Sequence, residues 1–391
     1  MRRLLFILLL SAVAASSHGQ SVEAVLREIE RNNPSLKAAA AEVEAEILAG
    51  KAEALPDNPE VEFNYLFGDS GIGNRHDVRV SQSFDIPTIL GMKAGKAEDL
   101  GQMAVMKYKA ERQAVLLEAK QACIDLVYWN SLIGELNSHL EQAEELVDSY
   151  EKRMTAGEAT ILDLNKAKIH RTNIQGQANR AEVERQGLLA ALRSLNGGSD
   201  PGFDASEYGI SETLPDDFRT WFEEASAASP VLEYIRKDVQ LEERQLAIDK
   251  ASRFPELVVG YMSEIRTAEK FRGVTVGMSI PLWNSSNKVR QTRARADAAK
   301  ERRNAAEQEF FQELQRQFIE AHSMKENAEL MRESLKESDS RSFLLSALTE
   351  GEISMIDYLV EIDLYYDALE QALAAERDYR HALAALTVFS L

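Results

Sequence analysis

Alternating hydrophobic and polar positions mark four short segments of the chain. The segments cover about 60–68, 77–86, 256–265 and 272–282. In the first of them Val61, Phe63 and Tyr65 lie on one face, and in the last Val274 and Val276 do the same. A period of two with one apolar face is typical of a β-strand. The pattern therefore predicts one β-hairpin in each half of the chain.

Long stretches without proline predict helices of unusual length. No proline lies between Pro87 and Pro201, and none follows Pro281. Because proline interrupts a helix, we expect continuous long helices over about 92–155 and 288–348. Shorter helices are predicted over about 22–32, 34–54, 158–196, 219–228, 230–254 and 354–389.

The two halves of the chain are copies of one unit. The pair Asn33-Pro34 recurs as Ser229-Pro230, 196 residues later. Asparagine or serine before proline is typical of an N-cap followed by the first helical turn. Farther along, Gly157-Glu158 with Asp163 recurs as Gly351-Glu352 with Asp357, at an offset of 194. Matches that keep their order over a whole half of the chain indicate duplication.

The domain boundaries follow from the repeat. The segment 197–217 is rich in Gly, Ser, Asp and Pro, which is typical of a linker. We predict a first repeat over 21–196 and a second over 218–391. The N-terminal 1–20 has two arginines and a short apolar run, which predicts a secretory signal peptide. No cysteine lies near its expected end, so we do not expect lipidation.

Composition excludes several classes of function. The 391 residues carry a formal net charge of −19, which argues against nucleic acid as a partner. The single cysteine excludes a disulfide scaffold and a multi-cysteine metal site. Cys123 is expected to be a small buried hydrophobe. No catalytic motif is present, so we predict no enzyme activity, cofactor or metal site. Five of the six histidines are scattered beyond the predicted signal peptide and are expected at the surface: His76, His139, His170, His322 and His381.

Four strands are too few for one chain to form a membrane barrel by itself. The smallest membrane barrels have about eight strands, and an open apolar sheet invites aggregation. Either two, three or four copies share one barrel, or the hairpins pack on helices in a soluble periplasmic coiled-coil scaffold. The sequence pattern leaves both arrangements open.

The ordered motifs resemble the TolC-like outer-membrane efflux protein family over about 22–389. The resemblance implies a mainly α fold of two repeats, a homotrimer, a twelve-stranded barrel in outer-membrane lipid and a twelve-helix periplasmic tunnel. It also implies a passive channel of a tripartite pump. The partners would be a periplasmic adaptor and a proton-driven inner-membrane transporter, and the cargo would be drugs or metal cations. The motifs are most similar to the heavy-metal-cation branch.

The resemblance also implies roles for the two glycine turns. Family members dock the adaptor at these turns, which correspond to Gly157, Glu158, Gly351 and Glu352. The alternative is that both glycines only end their helices.

The acids beyond the turns are candidates for the periplasmic aperture. Asp163, Asp357 and Glu361 are expected to give rings of charge there, with the aspartates under two turns inside their helices. A simple helix-start role is the alternative for Asp357. Ile353 stands where the family often has a basic residue, which disfavours closure by an arginine.

Overall fold

Helices and one small sheet make up the computed structural model. It describes residues 21–69, 71, 73–85, 87–209, 213–266, 269–279 and 285–391, so the predicted signal peptide lies outside the described residues. The helices in these residues are α1 (Val22–Asn32), α2 (Pro34–Glu53), α3 (Pro87–Thr155), α4 (Ile161–Leu195), α5 (Phe218–Ala228), α6 (Pro230–Ala251), α7 (Ser285–Glu337), α8 (Arg341–Glu350) and α9 (Met355–Leu386), followed by a 3-10 turn, Thr387–Ser390. None of the helices in the described segments is both long and apolar enough to cross a membrane.

The starts of α2 and α6 confirm the predicted N-caps. The Asn33 side chain accepts a hydrogen bond from the backbone N–H of Leu36 at 3.0 Å. Ser229 Oγ accepts the equivalent bond from Leu232 at 3.3 Å. Each cap satisfies a backbone donor that the first helical turn leaves without an intrahelical partner.

The prediction of one continuous helix over about 288–348 is wrong in one respect, because the structure has two helices there. α7 ends at Glu337 and α8 begins at Arg341. The Asp339 carboxylate accepts bonds from the backbone and guanidinium N–H groups of Arg341, at 3.4 and 2.9 Å. Serine and aspartate side chains compete with the helical backbone for such bonds, which explains the break at 338–340.

One antiparallel sheet contains all four strands of the described chain. They are β1 (Glu60–Leu66), β2 (Arg75–Phe84), β3 (Glu256–Arg266) and β4 (Glu269–Ser279), in the order β1-β2-β3-β4. The pairing of β2 with β3 joins the two repeats, with Val80 opposite Tyr261. Within the described chain, β1 and β4 are edge strands with one neighbour each.

The two faces of the sheet differ in chemistry. On one face, Val61 and Val274 have exposed fractions of 70% and 76%. On the other face, Arg79 pairs with Glu62 at 3.2 Å and Asn64 donates to Asp77 at 3.1 Å. A further ion pair joins Arg75 and Glu264 at 3.0 Å. The sheet therefore has one exposed apolar face and one polar face with charge pairs across its strands.

The chain divides into two compact units that do not coincide with the two repeats. Unit 1 contains the N-terminal part to Asn32 with Glu118–Ser211 and Glu326–His381, and unit 2 contains the remainder, including the sheet. Each unit thus takes segments from both repeats, because the long helices contribute to both units. The first part of the predicted linker, 197–209, is packed within unit 1, where Phe203 is buried and Tyr208 donates to the Ile124 carbonyl at 3.2 Å.

Candidate functional site

The first glycine turn, between α3 and α4, has a Schellman geometry. Gly157 has a φ of +80°, in the left-handed region that side chains disfavour. The N–H of Glu158 donates to the Arg153 carbonyl at 2.8 Å, and the N–H of Gly157 donates to Met154 at 3.0 Å. These bonds satisfy carbonyls at the end of α3.

The second turn, between α8 and α9, repeats this geometry 194 residues later. Gly351 has a φ of +82°. The N–H of Glu352 donates to the Ala347 carbonyl at 2.8 Å, and the N–H of Gly351 donates to Leu348 at 3.2 Å. The predicted helix-ending role of both glycines is therefore present.

The helix after each turn begins with reciprocal capping. Thr160 Oγ1 accepts from the N–H of Asp163 at 3.3 Å and donates to its carboxylate at 2.6 Å. Ser354 Oγ makes the same two contacts with Asp357, at 3.2 and 2.6 Å. The hydroxyl bonds lower the pKa of both aspartates, so both are charged at neutral pH.

The aspartates lie in the first turn of their helices, within the predicted distance of under two turns. α4 begins at Ile161 and α9 at Met355, so Asp163 and Asp357 are each the third residue of a helix. The helix-start role that was the alternative for Asp357 is present there, and Asp163 has it as well. An added role at an aperture is a separate proposal.

A shared apolar cluster supports both turns and places them at the same end of unit 1. We name it the tip cluster, and it contains Leu146, Val147, Tyr150, Leu164, Ala167, Leu348, Met355, Tyr358 and Ile362. Ile353 is partly buried against it. An apolar residue at position 353 thus has a structural reason, because the Ile353 side chain packs against the cluster.

The surface beside the turns combines acidic and apolar side chains. Glu158 and Glu352 are exposed, and so is Glu361, one helical turn after Asp357. Leu162 and Ile356 are also exposed, by 67% and 53%. These two apolar residues are related by the same offset of 194. Sequence analysis missed them because it followed charges, although the repeat offset would have revealed them.

Two histidines lie in a different environment from the one predicted. His139 and His170 are buried, with exposed fractions of 3% and 7%, and their ring centroids are 5.1 Å apart. The expectation of surface histidines is wrong for this pair, because the α3–α4 hairpin brings residues distant in sequence together. His381 is half-buried and contacts Asp125 at 2.8 Å.

Comparison with known proteins gives a family match to part of the chain and a shared fold. Residues 221–389 match the model of a family described as outer membrane efflux protein. Among curated protein sequences, no match was found. The chain is similar to the CmeC outer membrane channel of Campylobacter jejuni, at 15% identity and a TM-score of 0.76, covering 95% of this chain and 85% of CmeC.

Two other solved structures show the same likeness. The outer membrane protein VceC of Vibrio cholerae has a TM-score of 0.75 at 14% identity, covering 94% of this chain and 95% of VceC. The open state of the MtrE outer membrane channel of Neisseria gonorrhoeae has a TM-score of 0.70 at 13% identity, covering 94% of this chain and 88% of MtrE. The fold is therefore shared over nearly the whole chain, although few residues are identical.

Proposed function

We propose that this chain, whose residues 221–389 belong to the outer membrane efflux protein family, is the outer-membrane channel of a tripartite efflux system. The observation that carries the proposal is the four-stranded sheet with one apolar face, one polar face and two edges. Backbone groups at a sheet edge need partners in lipid. Three copies that pair β4 of one with β1 of the next would form a twelve-stranded barrel.

The exposed apolar face supports a membrane position for the sheet. A soluble scaffold would need helices to cover that face, yet Val274 and Val276 are 76% and 70% exposed. Lipid would cover these side chains, while the charge pairs on the opposite face would line a water-filled lumen. No observation favours the scaffold.

The two glycine turns are proposed as the docking site for a periplasmic adaptor. Their geometry is nearly the same, and the tip cluster holds both at one end of unit 1. Leu162 and Ile356 offer apolar contacts, while Glu158 and Glu352 offer acceptors for basic or polar groups of a helical hairpin. An energised inner-membrane transporter, proton-driven in this proposal, would deliver cargo to the same end.

Acidic side chains near the turns are proposed to favour cationic cargo. Asp163, Asp357 and Glu361 would each occur three times in a trimer, and rings of carboxylates attract cations and repel anions. The chain as a whole carries a formal net charge of −19. Metal cations or cationic drugs are the cargo classes that this charge supports.

Conductance in planar lipid bilayers tests the proposal. The full chain is expressed with its N-terminal segment, purified in detergent as an oligomer and added to one side of the membrane. We expect discrete current steps with cation preference. A purified oligomer that produces no steps, or a chain that stays monomeric in buffer without detergent, would refute the channel.

A further inference from the structure

A polar cavity in unit 1 lies among α3, α4 and α9, and its lining residue Tyr366 packs against the tip cluster. It measures about 190 Å³, and we name it the histidine cavity. His139, His170 and Tyr366 line it, together with four carboxylates: Glu135, Asp363, Asp367 and Glu370. Two imidazoles surrounded by acids form an environment that attracts a cation.

The imidazole nitrogens of His139 are the atoms that indicate a ligand for this cavity. It is 3% exposed, and neither Nδ1 nor Nε2 has a hydrogen-bond partner. Leaving buried polar atoms without a partner destabilises a fold, so such atoms require an explanation. The Tyr366 ring stacks on the imidazole at 3.6 Å with an angle of 8° between planes. Stacking covers the ring face and leaves the in-plane nitrogens available for coordination.

Two distances match the spacing of ligands around one tetrahedral ion. With metal–nitrogen bonds of about 2.0–2.1 Å, two bound imidazoles place their centroids about 5 Å apart, and a nitrogen and an oxygen ligand lie about 3.4 Å apart. The centroids of His139 and His170 are 5.1 Å apart. His170 Nδ1 lies 3.5 Å from Asp363 Oδ1, which is long for a hydrogen bond between them.

We propose that the histidine cavity binds one divalent late transition-metal cation through His139, His170 and Asp363, with water as the remaining ligand. In the structure, no three histidine, cysteine, aspartate or glutamate side chains of the described residues converge as a complete metal site. Asp363 is the ligand that would move, since its side chain is 62% exposed. Imidazole and carboxylate ligands favour zinc, copper or nickel over magnesium or calcium.

Such an ion would join three helices of unit 1. His139 belongs to α3, His170 to α4 and Asp363 to α9. A ligand that binds only the folded state stabilises it in proportion to the logarithm of its concentration. Zinc is therefore expected to raise the melting temperature of the purified oligomer by several degrees.

Zinc chloride titrated into chelator-treated oligomer tests the site by calorimetry. We expect one zinc per chain in the wild type. His139→Phe keeps a flat ring against Tyr366 and is expected to weaken binding at least 100-fold, since even indirect supports of a metal site change affinity 10- to 100-fold. Asp363→Asn alters an exposed side chain and should also weaken binding. His381→Gln is the matched control, because His381 is a histidine of the same unit that contacts Asp125.

Cobalt chloride provides a second readout, because tetrahedral Co²⁺ absorbs visible light and its spectrum reports the ligands. The wild type and His381→Gln should give the same spectrum, and Asp363→Asn should alter it. The site is overturned if the wild type binds no zinc, if both ligand variants bind as the wild type does, or if His381→Gln loses as much affinity as they do. A chain that conducts without binding zinc overturns only this inference, whereas one that binds zinc without conducting overturns only the channel.

Discussion

Replacing Gly351 by alanine tests whether the second turn depends on its left-handed backbone. Gly351 has a φ of +82°, and a Cβ placed there would meet no atom within 4 Å. The whole penalty therefore comes from the backbone, which for a side-chain-bearing residue in this region amounts to about 1–2 kcal/mol. Since RT is about 0.59 kcal/mol, the closed turn should lose about 5- to 30-fold in population relative to its opened form.

Two matched variants separate this penalty from other effects of a side chain. Gly351→Asn occupies the same open space, but asparagine tolerates the left-handed region, so the loss should be much smaller. Gly187→Ala makes the same chemical change inside α4, where a Cβ also meets nothing within 4 Å. There alanine should stabilise the helix by up to about 1 kcal/mol.

Hydrogen exchange of the amides at 348–356 measures the opening of the turn in the detergent-purified oligomer. Gly351→Ala should speed exchange by about the factor derived above, Gly351→Asn should have little effect, and Gly187→Ala should leave this segment unchanged. Equal exchange in Gly351→Ala and the wild type would refute the backbone argument. Equal acceleration in the alanine and asparagine variants would show instead that any side chain disturbs the turn.

Three further predictions concern charge, capping and pH. Asp357→Asn should lower the cation-over-anion permeability ratio, because each copy would lose one carboxylate at the proposed aperture. An unchanged reversal potential would show that this residue does not have that role. Asn33→Ala should lower the free energy of unfolding by about 1 kcal/mol in urea titrations, because it removes the acceptor for the Leu36 N–H. The pKa of His139 is about 3 in the folded chain and about 6.5 when unfolded, so metal-free protein should lose stability as the pH falls from about 6.5 towards 3. His139→Phe should reduce this loss but not abolish it, because burial also lowers the pKa of His170. An unchanged melting profile of the wild type between pH 7 and 5 would contradict the prediction.

The features that sequence analysis predicted correctly depend on near neighbours. The N-caps at Asn33 and Ser229 act on residues three positions later. The glycine at position 351 ends a helix through contacts within a few residues. The strands were predictable because an alternation of apolar and polar residues is visible in any short window. Because the chain is duplicated, each of these patterns occurs twice in the sequence, which supported each prediction.

The features that it missed depend on contacts between distant parts of the chain. Whether His139 and His170 are buried is decided by which faces of α3, α4 and α9 meet, and periodicity in one helix does not reveal that. The break before Arg341 is accompanied by a distant contact, because Arg341 also pairs with Glu135 of α3 at 3.2 Å. The order of the sheet likewise requires β2 to pair with β3, which lies far away along the chain.

The two turns are similar but not equivalent, and their difference indicates which of them carries the charge. Lys166 approaches Asp163 at 3.4 Å and partly neutralises it. The position equivalent to Lys166 in the second repeat is Val360, and the next residue is Glu361. The second turn thus lacks a cation at this position and has an anion next to it, which concentrates negative charge beside Asp357. Asp357→Asn should therefore reduce cation selectivity more than Asp163→Asn does, and equal effects on the reversal potential would show that Lys166 does not screen the first aspartate.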